Sequence, residues 1–180
     1  MLLKNKTAVI TGCNRGIGFS ILETYLKNGA NVIACVRSES ELFRDKIDLF
    51  SKKFEAKVNV VKFNLENEEE IEKGFLEIKK ISPKIDILVN NAGINQMSLF
   101  QMTTLKTFRS VFDVNFFSVV SLTQKILKII VKKNNSKIIN IASNAADLSS
   151  QGRAAYAPSK AALLSFTKVL SKEMGSYSIN

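Results

Sequence analysis

Short apolar runs alternate along this chain with longer segments in which apolar residues recur at helical spacing. Residues 7–11, 32–36, 58–63, 85–89 and 138–142 are rich in Val and Ile and short enough to be strands. Several are nearly unbroken in apolar residues rather than alternating, the pattern of parallel strands buried on both faces. Between the first two, Ile17, Ile21, Leu22, Tyr25 and Leu26 share a helical stripe, and Asn28-Gly29 supplies a C-terminal stop. Segments 39–54 and 67–80 read as helices charged along one side, and 103–133 reads as one longer helix. A last helix is expected to start near Ala155. Strand, helix and strand in repeated succession predict an α/β fold: a doubly wound parallel sheet with right-handed crossovers. No repeat, linker or low-complexity tract interrupts the 180 residues, so one domain over 1–180 is expected.

Composition removes several classes. With 46% hydrophobic and 23% charged residues, the chain is too apolar to stay disordered. No apolar run approaches the roughly 18 residues of a membrane span, and the longest candidates, such as ILKIIV, carry lysines. The opening MLLKNK is too short for a signal peptide ahead of the strand at Thr7. Cys13 and Cys35 have neither disulfide-scaffold nor zinc spacing, and a cytoplasmic location is the expectation. There is no histidine, which excludes Ser–His and Cys–His mechanisms and most transition-metal sites; no metal is expected.

The net charge is +10, from 26 basic and 16 acidic residues, a balance that favours anionic partners such as a phosphorylated cofactor or an acidic carrier protein. The lysines are dispersed, and the densest pair, Lys132-Lys133, closes an apolar helical stretch and reads as a solvated face. Neither nucleic acid nor a membrane is an expected partner, because the chain has no aromatic stacking platform and no helix-turn-helix pattern.

The first strand runs into Thr11-Gly12-Cys13-Asn14-Arg15-Gly16-Ile17-Gly18, and a helix follows directly. Glycines there let the backbone turn tightly, approach a pyrophosphate and aim the helix N-terminus at the anion, as in Rossmann-type sheets. The spacing is G-x3-G-x-G rather than the commoner G-x-G-x-x-G, and a plain tight turn is the alternative. The second strand ends at Val36-Arg37. Val36 cannot accept hydrogen bonds from a ribose 2′-hydroxyl, whereas Arg37 and Arg15 suit a 2′-phosphate; the alternative is two ordinary surface arginines.

Tyr156 and Lys160 stand four residues apart, on one face of a helix whose first turn is marked by Pro158. The dipole at that end and the lysine charge both favour a phenolate, so the tyrosine suits proton transfer near neutral pH. As a bare pattern the pair is weak, and surface packing explains most such spacings. Ser143 lies at the carboxyl end of the fifth strand, where open α/β sheets bind their ligands.

Taken with these features, the chain resembles the short-chain dehydrogenase/reductase family from Lys6 to its last residue. TGCNRGIG matches the family's glycine loop, and Asn90-Asn91-Ala92-Gly93 matches its N-N-A-G motif. Asn115, Ser143, Tyr156 and Lys160 match its catalytic tetrad. The resemblance implies hydride transfer between a nicotinamide and a carbonyl or alcohol carbon. Tyr156 would be the general acid/base, Ser143 would bind the substrate oxygen with it, and Lys160 would hold the nicotinamide ribose. Asn115 would anchor a water in a proton relay. Gly12, Asn14, Arg15, Gly16, Ile17, Gly18, Arg37, Asn91, Ala92 and Gly93 would line the cofactor cleft, with Asn64 and Leu65 against the adenine.

Within the family the chain looks most like the β-ketoacyl-acyl-carrier-protein reductases. That implies NADP(H) rather than NAD, a small-molecule or acyl-carrier-bound carbonyl substrate, and a homodimer or homotetramer. The chain ends where the family's sixth strand begins, so a truncated sheet lacking strands six and seven is expected. Its fifth strand would then be an unpaired edge open to association. The alternative function is a truncated, non-catalytic nucleotide-binding remnant of the same family.

Overall fold

A computed structural model describes residues 1–130, 135–148 and 150–180 and joins all five strand candidates into one parallel sheet. The strands are β1 (Thr7–Thr11), β2 (Asn31–Val36), β3 (Val58–Lys62), β4 (Ile87–Asn90) and β5 (Lys137–Asn140). The helices are α1 (Gly16–Lys27), α2 (Glu41–Phe54), α3 (Glu68–Ile81), α4 (Leu105–Phe112), α5 (Ser118–Ile130) and α6 (Tyr156–Met174). The spatial order is β3-β2-β1-β4-β5, so the winding reverses between β1 and β4. Parallel strands joined by helices leave a crevice at such a reversal, outside the carboxyl ends of the strands.

The near-continuous apolar runs follow from burial on both faces. Along β1, Ala8 and Ile10 face Leu22 and Leu26 of α1, while Val9 faces the opposite layer with Ile78 of α3 and Ile126 of α5. Along β2, Val32 and Ala34 join the first layer, and Ile33 and Cys35 the second. Each fully buried Leu or Ile contributes about 1.5–3 kcal/mol, so these two layers are the main force holding the sheet. Helices α2 and α3 are charged outside and capped inside the chain. Ser40 Oγ accepts the Phe43 amide at 3.2 Å, and Asn67 Oδ1 accepts those of Glu69 and Glu70. In α3, Glu68, Glu69 and Glu70 fill the first turn and Lys79 and Lys80 the last, the arrangement that the helix dipole favours.

Two sequence expectations change. The single helix over 103–133 is α4 and α5 separated by a π turn, Asp113–Phe117. Apolar spacing cannot reveal a wider turn. The π turn lets the fully buried Asn115 reach the backbone of Ile94. The last residues of that expected helix, including Lys132-Lys133, lie outside the described residues. Secondly, the edge beyond β5 is not bare at its start. The Asn180 amide donates to the Ser136 carbonyl at 3.2 Å, and the Ile138 amide donates to the Asn180 carbonyl at 2.8 Å. The chain therefore begins a fifth pairing, beyond β5, leaving the exposed Ile139 outside it. Among the described residues no helix is long and apolar enough to cross a membrane.

Candidate active site

The glycine loop leaves β1 at the reversal and enters α1. Gly12 keeps ladder pairing through its amide, which donates to the Cys35 carbonyl at 2.8 Å, while its φ of +66° turns the chain out of the sheet. A methyl group there would meet Ala92 Cα at 2.7 Å, so the loop and the 91–93 segment touch backbone to backbone. Helix α1 starts from Arg15 with no side-chain cap, unlike α2, α3 and α4, and with no acid in its first turn. Its free amides point from the loop, the arrangement that binds a phosphate group.

Thr11, which the sequence reading did not single out, and Asn91 hold this loop against β4. Thr11 Oγ1 accepts both the Asn91 and the Ala92 amides, at 3.0 and 3.1 Å. Asn91 Nδ2 donates in turn to the carbonyls of Thr11 and Gly12, at 2.9 and 3.0 Å. Asn91 is thus a clamp on the loop as well as a wall. Asn90, buried beneath it, donates to Thr123 Oγ1 and to Asn140 Oδ1, tying β4 to α5 and β5. A hydroxyl at a strand's last residue, as in Thr11, is the one sequence signal that was available for this clamp.

A cleft of about 680 Å³ opens above the reversal. Its walls include every loop residue named from the sequence, Gly12, Asn14, Arg15, Gly16, Ile17 and Gly18, together with Arg37, Asn64, Leu65, Asn91, Ala92 and Gly93. Ser38, Phe63, Glu66, Ile94, Ser110 and Val114 also line it and were not foreseen. Arg15 and Arg37 are exposed, and neither has a carboxylate partner among the described residues. The acid closest to the β2 end, Glu39, is drawn away by Arg44 at 2.6 Å and Lys62 at 4.0 Å. Asn64 Oδ1 accepts the Glu66 amide at 3.1 Å, leaving its NH2 end without a protein partner among the described residues.

At Gly93 the inner end of the cleft meets two of the four tetrad positions, Asn115 and Lys160. A methyl group at Gly93 would lie 3.2 Å from Asn115 Oδ1 and 3.4 Å from Lys160 Nζ, so these three positions converge. Lys160 is buried and donates to the Ile141 carbonyl at 2.8 Å; burial pushes its pKa below the usual lysine value. Tyr156 opens α6, as Pro158 required. Ser143 caps a short 3-10 turn, Asn144–Ala146, by accepting the Ala145 amide at 3.1 Å, and α6 packs on that turn. Ser143 thus both caps that turn and lies in the segment packed against α6.

Asn115 spends its whole side chain on structure. Oδ1 accepts the Ile94 amide at 2.8 Å, and Nδ2 donates to the Ile94 carbonyl and to Ser159 Oγ. Ser159, also not foreseen, passes the link to the Tyr156 carbonyl at 2.7 Å. Among the described residues no group of acids and cysteines is placed to hold a metal.

Cys13 lies inside the glycine loop yet is wholly buried, and burial pushes its thiol up to about 12. Cys35 beside it is raised well above the ordinary value for the same reason. Near pH 8 both are thiols rather than thiolates and shielded from reagents. Iodoacetamide treatment followed by mass spectrometry should therefore add nothing to the folded protein and label both cysteines after unfolding in guanidinium. Rapid labelling of the folded chain would show the loop to be open.

The chain matches known proteins over nearly its whole length. The sequence profile of the short chain dehydrogenase family matches residues 6–180. The 3-oxoacyl-[acyl-carrier-protein] reductase FabG of Aquifex aeolicus is 36% identical over 172 residues, covering 96% of this chain and 69% of its own. The Escherichia coli protein of the same name is 32% identical over 179 residues, covering 99% and 71%. Among solved structures, the Pseudomonas aeruginosa RhlG/NADP active-site complex superposes with a TM-score of 0.90 at 30% identity, covering 99% of this chain and 70% of that one. L-sorbose reductase from Gluconobacter frateurii, complexed with NADPH and L-sorbose, superposes at 0.93 with 25% identity, covering 99% and 67%. With the family profile matched over residues 6–180 and 36% identity over 96% of its length to one such reductase, the chain belongs to the short-chain dehydrogenase family of oxidoreductases.

Proposed function

We propose that this chain is an NADP(H)-dependent carbonyl reductase acting on a 3-oxoacyl carrier or a similar ketone. The observation that carries this reading is the single cleft running from the glycine loop and two unpaired arginines to Gly93, against Lys160. The residues fit a dinucleotide. Gly12 and Gly18 leave a cradle that side chains would fill, α1 offers uncapped amides to the pyrophosphate, and Arg15 and Arg37 suit a 2′-phosphate. The Asn64 NH2 group is free to donate to an adenine ring nitrogen. Relatives named for 3-oxoacyl-carrier reduction and neighbours bound to NADP or NADPH support the same choice.

When bound, the nicotinamide supplies the hydride. Tyr156 gives its phenolic proton to the substrate oxygen, and Ser143 holds that oxygen by a hydrogen bond. Lys160, its ammonium desolvated, stabilises the phenolate that remains and holds the ribose hydroxyls. With its side chain engaged by Ile94 and Ser159, Asn115 offers its backbone carbonyl, inside the π turn, to anchor a relay water. The protein acts as one domain, in the cytoplasm, as a homodimer or homotetramer; the exposed Phe100, Met102 and Leu105 support association.

Cofactor choice gives the test. A charge-assisted contact of about 1.5–3 kcal/mol corresponds to a preference for NADPH over NADH of roughly ten- to hundred-fold. Fluorescence titration should show that preference in the wild type and little of it in Arg37→Ala. Equal affinities, or an unaltered preference in the variant, would refute the assignment of the β2 end.

A further inference from the structure

A second cavity, of about 880 Å³, is walled by Leu99, Phe100, Ala146, Gln151 and Ala157, the last of these next to Tyr156 in the chain. Among the described residues that line it, Arg153 carries the only charge. Its guanidinium carbon sits 5.8 Å from the centre of the Tyr156 ring. No carboxylate among the described residues pairs with it.

Its backbone is fixed. The Ser98 amide donates to the Gly152 carbonyl at 2.9 Å, and Ser98 and Arg153 form an isolated parallel bridge. The buried Gln96 holds the next turn, its Oε1 accepting the Ala155 amide at 3.1 Å and its Nε2 donating to Ser98 and Thr103. A half-buried guanidinium is thus held beside the proton donor with a ring face on one side and no counter-ion on the other. Stacking on an aromatic face offsets part of its lost hydration, and an oxyanion would offset the rest.

We propose that Arg153 is a specificity-determining residue that receives an oxyanion of the substrate, a carboxylate or a phosphate carried a few bonds from the reacting carbonyl. The planar guanidinium fork matches either group with paired hydrogen bonds. This rests on the reductase reading and narrows its substrate class to anionic ketones. A neutral acyl thioester leaves the guanidinium without a partner.

The test uses two matched pairs: acetoacetate with methyl acetoacetate, and dihydroxyacetone phosphate with dihydroxyacetone. Each is titrated calorimetrically against the full chain, with and without NADP+, so that no turnover is needed. In the wild type the anion of at least one pair should bind roughly tenfold or more tighter than its neutral partner. A preference in the first pair assigns a carboxylate, and one in the second assigns a phosphate. Arg153→Gln should bring the anion to the level of its neutral partner and leave NADP+ affinity unchanged, while Arg153→Lys retains part of the preference. Equal binding within both pairs, or a preference that survives Arg153→Gln, overturns the proposal. Failure to bind NADP+ would instead refute the reductase reading, and the titrations without nucleotide would still report on Arg153.

Discussion

Tyr156→Phe should abolish nearly all NADPH-dependent ketone reduction while leaving cofactor affinity within a few-fold of wild type. Removing one oxygen removes the proton that the substrate oxygen needs as it becomes an alcohol. A positioned general acid contributes roughly 10²–10⁴ in rate. The change has little structural cost. The backbone at 156 still opens α6, its carbonyl still accepts from Ser159, and the ring still lies beneath Arg153. Loss of turnover with retained binding separates the hydroxyl's chemistry from the ring's packing. Steady-state NADPH oxidation and fluorescence titration on the same preparation would show it. A variant within about threefold of wild-type turnover would remove Tyr156 from the mechanism.

Gly18→Ala should cost most of the nucleotide binding, with a fall in NADPH affinity of roughly ten- to a hundred-fold. An added methyl group at this position would collide with the Gly12 carbonyl oxygen and Asn91 Nδ2. Neither can yield cheaply. The carbonyl belongs to the loop backbone, and Asn91 Nδ2 is the donor that fastens that loop to β4. Overpacking costs about 1–3 kcal/mol and moves the amides that would face the pyrophosphate. Gly175→Ala is the matched control, because a methyl group there meets nothing within 4 Å. Unchanged affinity in Gly18→Ala would mean that the nucleotide does not sit on this loop.

What the sequence revealed follows from which forces are periodic and local. The strands were legible because burial on both faces leaves unbroken Val and Ile runs, as in β1 and β2. The start of α6 was legible because Pro158 fits only a first turn. The turn of the glycine loop was legible because glycines between a strand and a helix allow a positive φ, which Gly12 and Gly16 adopt. What stayed hidden depends on contacts distant in sequence. The π turn follows from Asn115 reaching Ile94, 21 residues away. The clamp joins Thr11 to Asn91 across 80 residues. Ser159 and Gln96 read as ordinary polar positions until the fold sets them against Asn115 and Ala155. The pairing of Asn180 with β5 was likewise invisible, since three residues carry no strand pattern.

The most direct measurement is the fate of the hydrogen at nicotinamide C4. The 180-residue chain would be incubated with a ketone and NADPH deuterated at either face of C4, and the alcohol analysed by NMR. Deuterium should appear on the former carbonyl carbon from one face only, at a rate that Tyr156→Phe suppresses. Tight NADPH binding with no labelled alcohol from either face, across neutral and anionic ketones, would contradict the reductase reading and mark the chain as a non-catalytic nucleotide-binding protein.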